Sequence, residues 1–187
     1  AIITNAYSNV VSSFFGAKFQ RHIEEILIAP VPSTLIVAGY VSGGMCRGIM
    51  VGALVTFVAL FFTDLQVNSW FITIAVVVLT SILFSLAGFI NAIFARTFDD
   101  ISIVPTFVLT PLTFLGGVFY SIDLLPELWR QISLLNPVLY MVNAFRYGIL
   151  GVSDIDLLTA FSVIIAFVVV LATISVLLLD RGVGIRT

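Results

Sequence analysis

Residues 70–95 read WFITIAVVVLTSILFSLAGFINAIFA, twenty-six positions without one charged side chain. A helix needs roughly 20 apolar residues to cross a hydrocarbon core about 30 Å thick. In lipid every backbone N–H and C=O must find its partner within the protein. An apolar run of this length without period-two alternation therefore favours a helix over a barrel strand. Three further segments meet the same length, 34–62, 101–120 and 155–179. A fifth, 1–15, is shorter and carries Asn5, Ser8, Asn9, Ser12 and Ser13; it reads as the inner end of a helix whose start lies before Ala1. The expected fold is an all-α membrane protein, a polytopic helical bundle with at least five spans.

Composition agrees with that class. The chain is 60% hydrophobic and 10% charged, where a soluble domain carries about 25% charged residues. It lacks the polar surface a water-exposed domain needs. The net charge of −2 offers no basic face for nucleic acid, and one cysteine, Cys46, excludes an internal disulfide or a cysteine-built metal site. A chain starting in an apolar stretch with no basic region before it does not open on a signal peptide. The expectation is a chain whose N-terminal part is missing.

Basic residues set the expected orientation. Lys18 and Arg21 follow the first segment, Arg96 the third, and Arg181 and Arg186 the last. If every segment crosses once, these five lie on one side, against Arg130 and Arg146 on the other. That side is the cytoplasmic one. The C-terminus is then cytoplasmic, and residues 63–69 and 121–154 lie outside.

Three features sit within the spans. Arg47 occurs in the second segment; snorkelling to the inner interface is the first reading and a transport role the second. Pro105 and Pro111 each remove a backbone donor from the fourth segment and favour a kink. Gly39, Ser42, Gly43, Gly44, Gly48 and Gly52 recur at helical spacing, where small residues let helices approach closely.

Signals for an enzyme are weak. His22 is the single histidine and stands beside Lys18 and Arg21, on a solvated face. Asp99-Asp100 and Glu24-Glu25 are adjacent acids; a metal is one reading of the former and plain loop solubility the simpler one. A P-loop needs a lysine after a glycine-rich loop, and the single lysine, Lys18, follows Phe15-Gly16-Ala17. If ATP drives this protein, another chain must bind it.

Two stretches are not explained as spans. Residues 18–33, KFQRHIEEILIAPVPS, place Ile23, Ile26 and Leu27 opposite Arg21, Glu24 and Glu25, and Pro30 and Pro32 end the pattern. This short amphipathic helix either rests on the lipid surface or docks a soluble partner. In 121–153, Pro126 starts one helix, and Asn136-Pro137 caps and starts another that Gly151 ends. The second, at about 21 Å, is too short to span. Both can dip into the outer leaflet and return if protein covers their polar ends.

On these two stretches the chain resembles the membrane-spanning permease of type-2 ATP-binding-cassette exporters. Arg21, Ile23-Glu24, Ile26-Leu27 and Pro30-Val31 match the pattern that family carries in the cytoplasmic segment after its second helix. Asn136-Pro137, Tyr140, Arg146 and Gly151 match the pattern in its outer loop before the last helix. Gly39-Tyr40 stands where a Gly-Lys pair is common, and Asn143 where an acid often precedes the loop arginine, which weakens a local ion pair with Arg146.

The resemblance implies six spans per subunit, about five of them covered here, in one permease domain over 1–187. It implies a coupling segment at 18–33, with Arg21, Glu24, Glu25, Ile26, Leu27 and Pro30 facing an ATPase. Asn136, Pro137, Tyr140, Arg146 and Gly151 belong to an outer gate at 121–153. Val138, Leu139, Val142, Phe145 and Ile149 form that gate's packed face, and Tyr140, Asn143, Arg146 and Tyr147 hold its polar end at the interface. The expected partners are ATP-binding-cassette ATPases, a second permease copy and membrane lipids, not nucleic acid. This chain would hold no cofactor of its own, ATP and Mg²⁺ being bound by the ATPase, and would lie in a bacterial inner membrane. A nearly uncharged set of spans suits an amphipathic or lipid-linked cargo. An ion-gradient transporter or channel is the alternative, and needs embedded acids that the spans lack; a lipid-modifying enzyme working through Asp99 and Asp100 is the third.

Overall fold

The uninterrupted apolar run that opened the sequence is the axis of the fold. The structure, a computed structural model, describes residues 1–20, 22, 31–63, 67–118 and 126–184. These form seven helices: α1 (Ile2–Phe19), α2 (Ser33–Ala59), α3 (Trp70–Phe94), α4 (Phe98–Leu115), α5 (Glu127–Leu134), α6 (Pro137–Leu150) and α7 (Leu157–Asp180). Four of them, α2, α3, α4 and α7, are long and apolar enough to cross a membrane. Helix α1 has 18 residues, and its polar side chains lower its apolar character. It continues to Phe19, beyond the expected end at residue 15.

Helix α3 packs against α1, α2, α6 and α7. Glycines set the closest approaches. A Cβ at Gly44 would meet Val10 at 2.5 Å and also the Ser85 hydroxyl; one at Gly48 would meet Ser81; one at Gly52 would meet Ile2. A Cβ at Gly88 of α3 would lie 2.6 Å from the carbonyl oxygen of Tyr7. Helices α1, α2 and α3 therefore touch nearly backbone to backbone. The small-residue stripe of α2 is divided. Gly44, Gly48 and Gly52 face this trio, whereas a Cβ at Gly39 or Gly43 meets nothing within 4 Å. At one end of the trio the Phe14 ring lies 4.4 Å from Phe89 and 5.2 Å from Tyr40, and this cluster reaches Ile93 and Leu179. At the other end Val76, Ala144 and Ala160 join α3, α6 and α7.

Helix α4 starts earlier than the expected residue 101. The Thr97 hydroxyl accepts from the Asp100 N–H at 3.2 Å, and the Asp100 carboxylate accepts from the N–H groups of Thr97 and Arg96 at 2.9 Å. This capping box nucleates the helix directly after the α3 turn. It engages one oxygen, Oδ2, of the Asp100 carboxylate. The proline pair produces a π turn over Pro105–Leu109, in which the Thr110 N–H reaches back to the Pro105 carbonyl. Prolines supply no N–H to the α ladder, so the hydrogen bonds re-register by one residue. Gly116 and Gly117, the latter with φ 73°, end the run before the expected residue 120.

Candidate functional site

Asn136 caps α6 with its amide oxygen and ties it to α4 with its amide nitrogen. Its Oδ1 accepts from the Val138 N–H at 3.0 Å, and its Nδ2 donates to the Leu112 carbonyl near the end of α4 at 2.6 Å. Pro137 takes the first helical position, where a missing N–H costs nothing. Tyr140 donates its hydroxyl proton to the Leu134 carbonyl, the last of α5, at 2.8 Å. At the far end Gly151 is left-handed, φ 74°, and its N–H returns to the Tyr147 carbonyl at 2.8 Å. Two more carbonyls of that last turn are met from the loop before α3. Asn68 N–H donates to Ile149 at 3.1 Å, and Ser69 N–H to Gly148 at 2.8 Å. Both polar ends of this short helix are therefore covered by protein, as a helix too short to span requires.

Arg146 joins three elements. One guanidinium nitrogen bonds Asp154 at 3.0 Å, and the other donates to the Gly117 carbonyl at 2.7 Å. The arginine therefore ties α6 to the exit of α4 and the entry of α7. Asn143 reads from sequence as weakening a local ion pair with Arg146; the pair is made instead by Asp154, eight residues on, which the turn at Gly151 brings back beside the helix. Asn143 itself is not an interfacial anchor. It is fully buried, donates to the Leu139 carbonyl at 3.0 Å, and accepts from the Asp154 N–H at 3.0 Å. The buried face of α6 also differs from the expected one. Val138 and Leu139 are fully buried with Met141, Ala144 and Gly148, whereas Val142, Phe145 and Ile149 are half-buried. The five residues assigned to this site from sequence thus converge on one helix and its two ends. Asn68, Ser69, Gly117 and Asp154, which complete it, were not singled out. Gly116-Gly117 and the acid two turns after Arg146 were the signals available.

At the opposite end of α3, Lys18 lies in the last turn of α1 and not at the start of a docking helix. Its ammonium donates to the carbonyls of Ile93 and Ala95 at 2.8 and 2.9 Å. The segment expected over 18–33 therefore begins after Phe19, and α2 takes over at Ser33. Gln20 is exposed. Arg21, Glu24, Glu25, Ile26, Leu27 and Pro30 lie outside the described residues.

Against this geometry stand the comparisons with known proteins. The family model for the ABC-2 type transporter matches residues 1–150. The chain belongs to this family. Inner membrane transport permease YadH of Escherichia coli (strain K12) is 59% identical over the whole chain and 73% of its own length. Nodulation protein J of Rhizobium leguminosarum bv. viciae is 23% identical over 97% of this chain and 70% of its own length. No solved structure matches. The protein is thus a multi-pass, all-helical ABC-2 permease, the membrane-spanning part of a transporter. Within this permease, helix α6 and its clamp form one candidate site, and the α1–α3 junction at Lys18 forms the other.

Proposed function

We propose that this permease is the translocation subunit of an ATP-driven exporter, working as a pair of permeases with two separate ATPases. The observation that carries the reading is the pairing of an ABC-2 permease match with a single lysine already spent on helix carbonyls. No lysine in this sequence follows a glycine-rich loop, which supports the reading that a partner chain binds ATP and Mg²⁺. The coupling surface is the stretch from Arg21 to Pro30 between α1 and α2. The basic residues at that end, Lys18, Arg96 and Arg181, support a cytosolic position for it and for the C-terminus, with α6 outside. The name of the YadH relative supports an inner-membrane location. Closure of the ATPase pair would push the coupling stretch, and α1 would pass the displacement to the bundle as a rigid body. Helix α6, clamped at Asn136, Tyr140, Arg146 and Gly151, would gate the exit of an amphipathic or lipid-linked cargo.

Leu27→Asp tests the coupling surface, because a charge forced into an apolar cleft on the ATPase costs several kcal/mol. The variant should insert normally yet fail to co-purify with its ATPase and fail to stimulate ATP turnover in vesicles. Leu177→Ala, a half-exposed position on α7, should retain both. Normal retention and turnover of Leu27→Asp would leave the stretch a helix resting on lipid.

A further inference from the structure

Helix α4 is anchored at its middle. Leu109 is the one buried residue among its 18. It sits in a cluster with Tyr7 of α1, Leu83 and Phe84 of α3, Val138 and Met141 of α6, and Ile164 of α7. The π turn over Pro105–Leu109 ends on this residue. Pro105 opens the turn and Pro111 follows Leu109 by two residues, and neither supplies an N–H to the helix. The pinned point of α4 is thus also its weakest.

A second register lies within reach of this turn. Thr110 donates both its N–H and its hydroxyl proton to the Pro105 carbonyl, the hydroxyl at 3.0 Å. An α register would hand that N–H to the Thr106 carbonyl, one residue on. Five residues beyond Thr106 stands Pro111, so the π register offers the Thr106 carbonyl no backbone donor. Moving one N–H between neighbouring carbonyls therefore converts the π turn to α without losing a donor. Hydroxyls on the flanking turns also donate backwards: Ser102 to the Phe98 carbonyl, Thr106 to Ser102 and Thr113 to Leu109. Back-bonding of this kind bends helices, and inside a membrane it helps to meet backbone groups that prolines free.

The two halves of α4 are tied to different bodies. The Phe98 half follows α3 through the short turn that ends in the Thr97–Asp100 box, and Lys18 on the Ala95 carbonyl binds that corner to α1. The Leu115 half follows α6, because Asn136 donates to the Leu112 carbonyl and Arg146 to that of Gly117. A straight α4 would brace α6 against the α1–α3 corner. A jointed one lets its Leu115 half travel with α6 while its Phe98 half stays with α3. We infer that the π turn is a hinge pinned at Leu109, with Thr110 as the positioning residue that holds its register. A hinge absorbs movement at a few residues, and π turns inside helices recur at functional sites. The force that works this hinge rests on the exporter reading above: displacement from the coupling end reaches α6, and α4 yields at its middle instead of holding the gate.

The Pro105 carbonyl reports the register directly. Pro105-Thr106 is the single Pro-Thr pair in this sequence. Carbon-13 at proline carbonyls and nitrogen-15 at threonine therefore isolate it by solid-state NMR in the full-length permease with its ATPase in lipid vesicles. The peak that Pro105→Ala removes is the one to follow. Thr110→Val deletes the hydroxyl bond at nearly constant shape and should shift this peak. Arg146→Ala releases the Leu115 half from α6 and should move it, without nucleotide, to a second position. A non-hydrolysable ATP analogue should bring the wild-type peak to that same position. Thr110→Val should also change export per ATP hydrolysed about twofold or more, the scale of one neutral hydrogen bond, with an unaltered size-exclusion profile. A peak that stays in place both in Arg146→Ala and with the ATP analogue overturns the hinge, as does one indifferent to Thr110→Val. A peak that moves in Arg146→Ala but not with the analogue leaves the hinge standing and sinks the ATP-driven reading.

Discussion

The ammonium of Lys18 is shared between the carbonyls of Ile93 and Ala95, 75 and 77 residues away in sequence. The last carbonyls of a helix lack internal partners and carry its negative dipole end, which a cation satisfies. Gly184 packs on the same Ile93 carbonyl, so α1, α3 and the stretch after α7 meet at one point. Lys18→Met should leave two half-buried carbonyls uncapped at a cost of about 1.5 kcal/mol, the low end for a bond to a charged group. That corresponds to a melting point roughly 3–6 °C lower for a protein of this size. Lys18→Arg should recover part of it. Thermal inactivation in detergent measures both, and an unchanged midpoint for Lys18→Met would mean that water caps α3 equally well.

Asn143 holds the turn after α6 from inside the bundle. Its carbonyl oxygen is the acceptor for the Asp154 N–H, and it has no exposure to solvent. Asn143→Leu matches its size but strands that N–H, at a cost of about 1–3 kcal/mol. Asn143→Asp keeps the acceptor and buries a charge, which should be worse. The expected order of folded yield by size-exclusion is wild type, Leu, then Asp. A yield for Leu equal to wild type would show that the turn is held by Arg146 alone.

Much of the fold was legible because lipid permits so few solutions. The charge-free run from Trp70 to Ala95 admits a helix, and α3 occupies it with an error of one residue. Asn136, Pro137 and Gly151 act through local backbone chemistry, so their order in the chain was enough to place the start and end of α6. Apart from the start of α4, set by the local Thr97–Asp100 box, the misread side-chain roles involve partners outside their own helical turn. Lys18 looked like part of an amphipathic surface because its acceptors lie beyond residue 90. Asn143 looked like an interfacial polar residue because the N–H it binds comes from a returning turn. The glycines of α2 recur at a helical period, but only packed neighbours show that Gly48 is covered and Gly43 bare. Roles set by tertiary approach are not encoded in spacing.

The two glycine faces should respond oppositely to a single methyl. Gly88→Ala puts a Cβ 2.6 Å from the Tyr7 carbonyl oxygen, a backbone atom that cannot rotate aside. Gly43→Ala meets nothing within 4 Å and gains helix propensity of up to ~1 kcal/mol. Gly88→Ala should therefore destabilise the fold by the roughly 1–3 kcal/mol typical of overpacking and so lower folded yield and melting point. Gly43→Ala should insert and melt like wild type or slightly higher. Equal behaviour of the two variants in a thermal-shift assay would mean that α1 and α3 do not approach as closely as Tyr7 and Gly88 indicate.

Arg146 is placed to report movement of α6. Its ion pair with Asp154 is partly exposed, 22% and 17% by side chain, so it contributes at most about 1 kcal/mol to folding. Its second bond, to the Gly117 carbonyl, ends on a different element, so any rotation of α6 relative to α4 must break or carry that contact. Tyr140 makes the matching link from α6 back to α5 through Leu134. Arg146→Ala and Tyr140→Ala should therefore express, insert and retain the ATPase, while export per ATP hydrolysed changes at least about twofold, the free-energy scale of one such bond. Arg146→Lys cannot hold Asp154 and Gly117 with a planar fork and should resemble the alanine variant more than wild type. Paired measurement of export and ATP turnover in inverted vesicles separates this from simple misfolding, which lowers both in proportion. Wild-type coupling in both alanine variants would reduce the clamp around α6 to a fixed part of the scaffold.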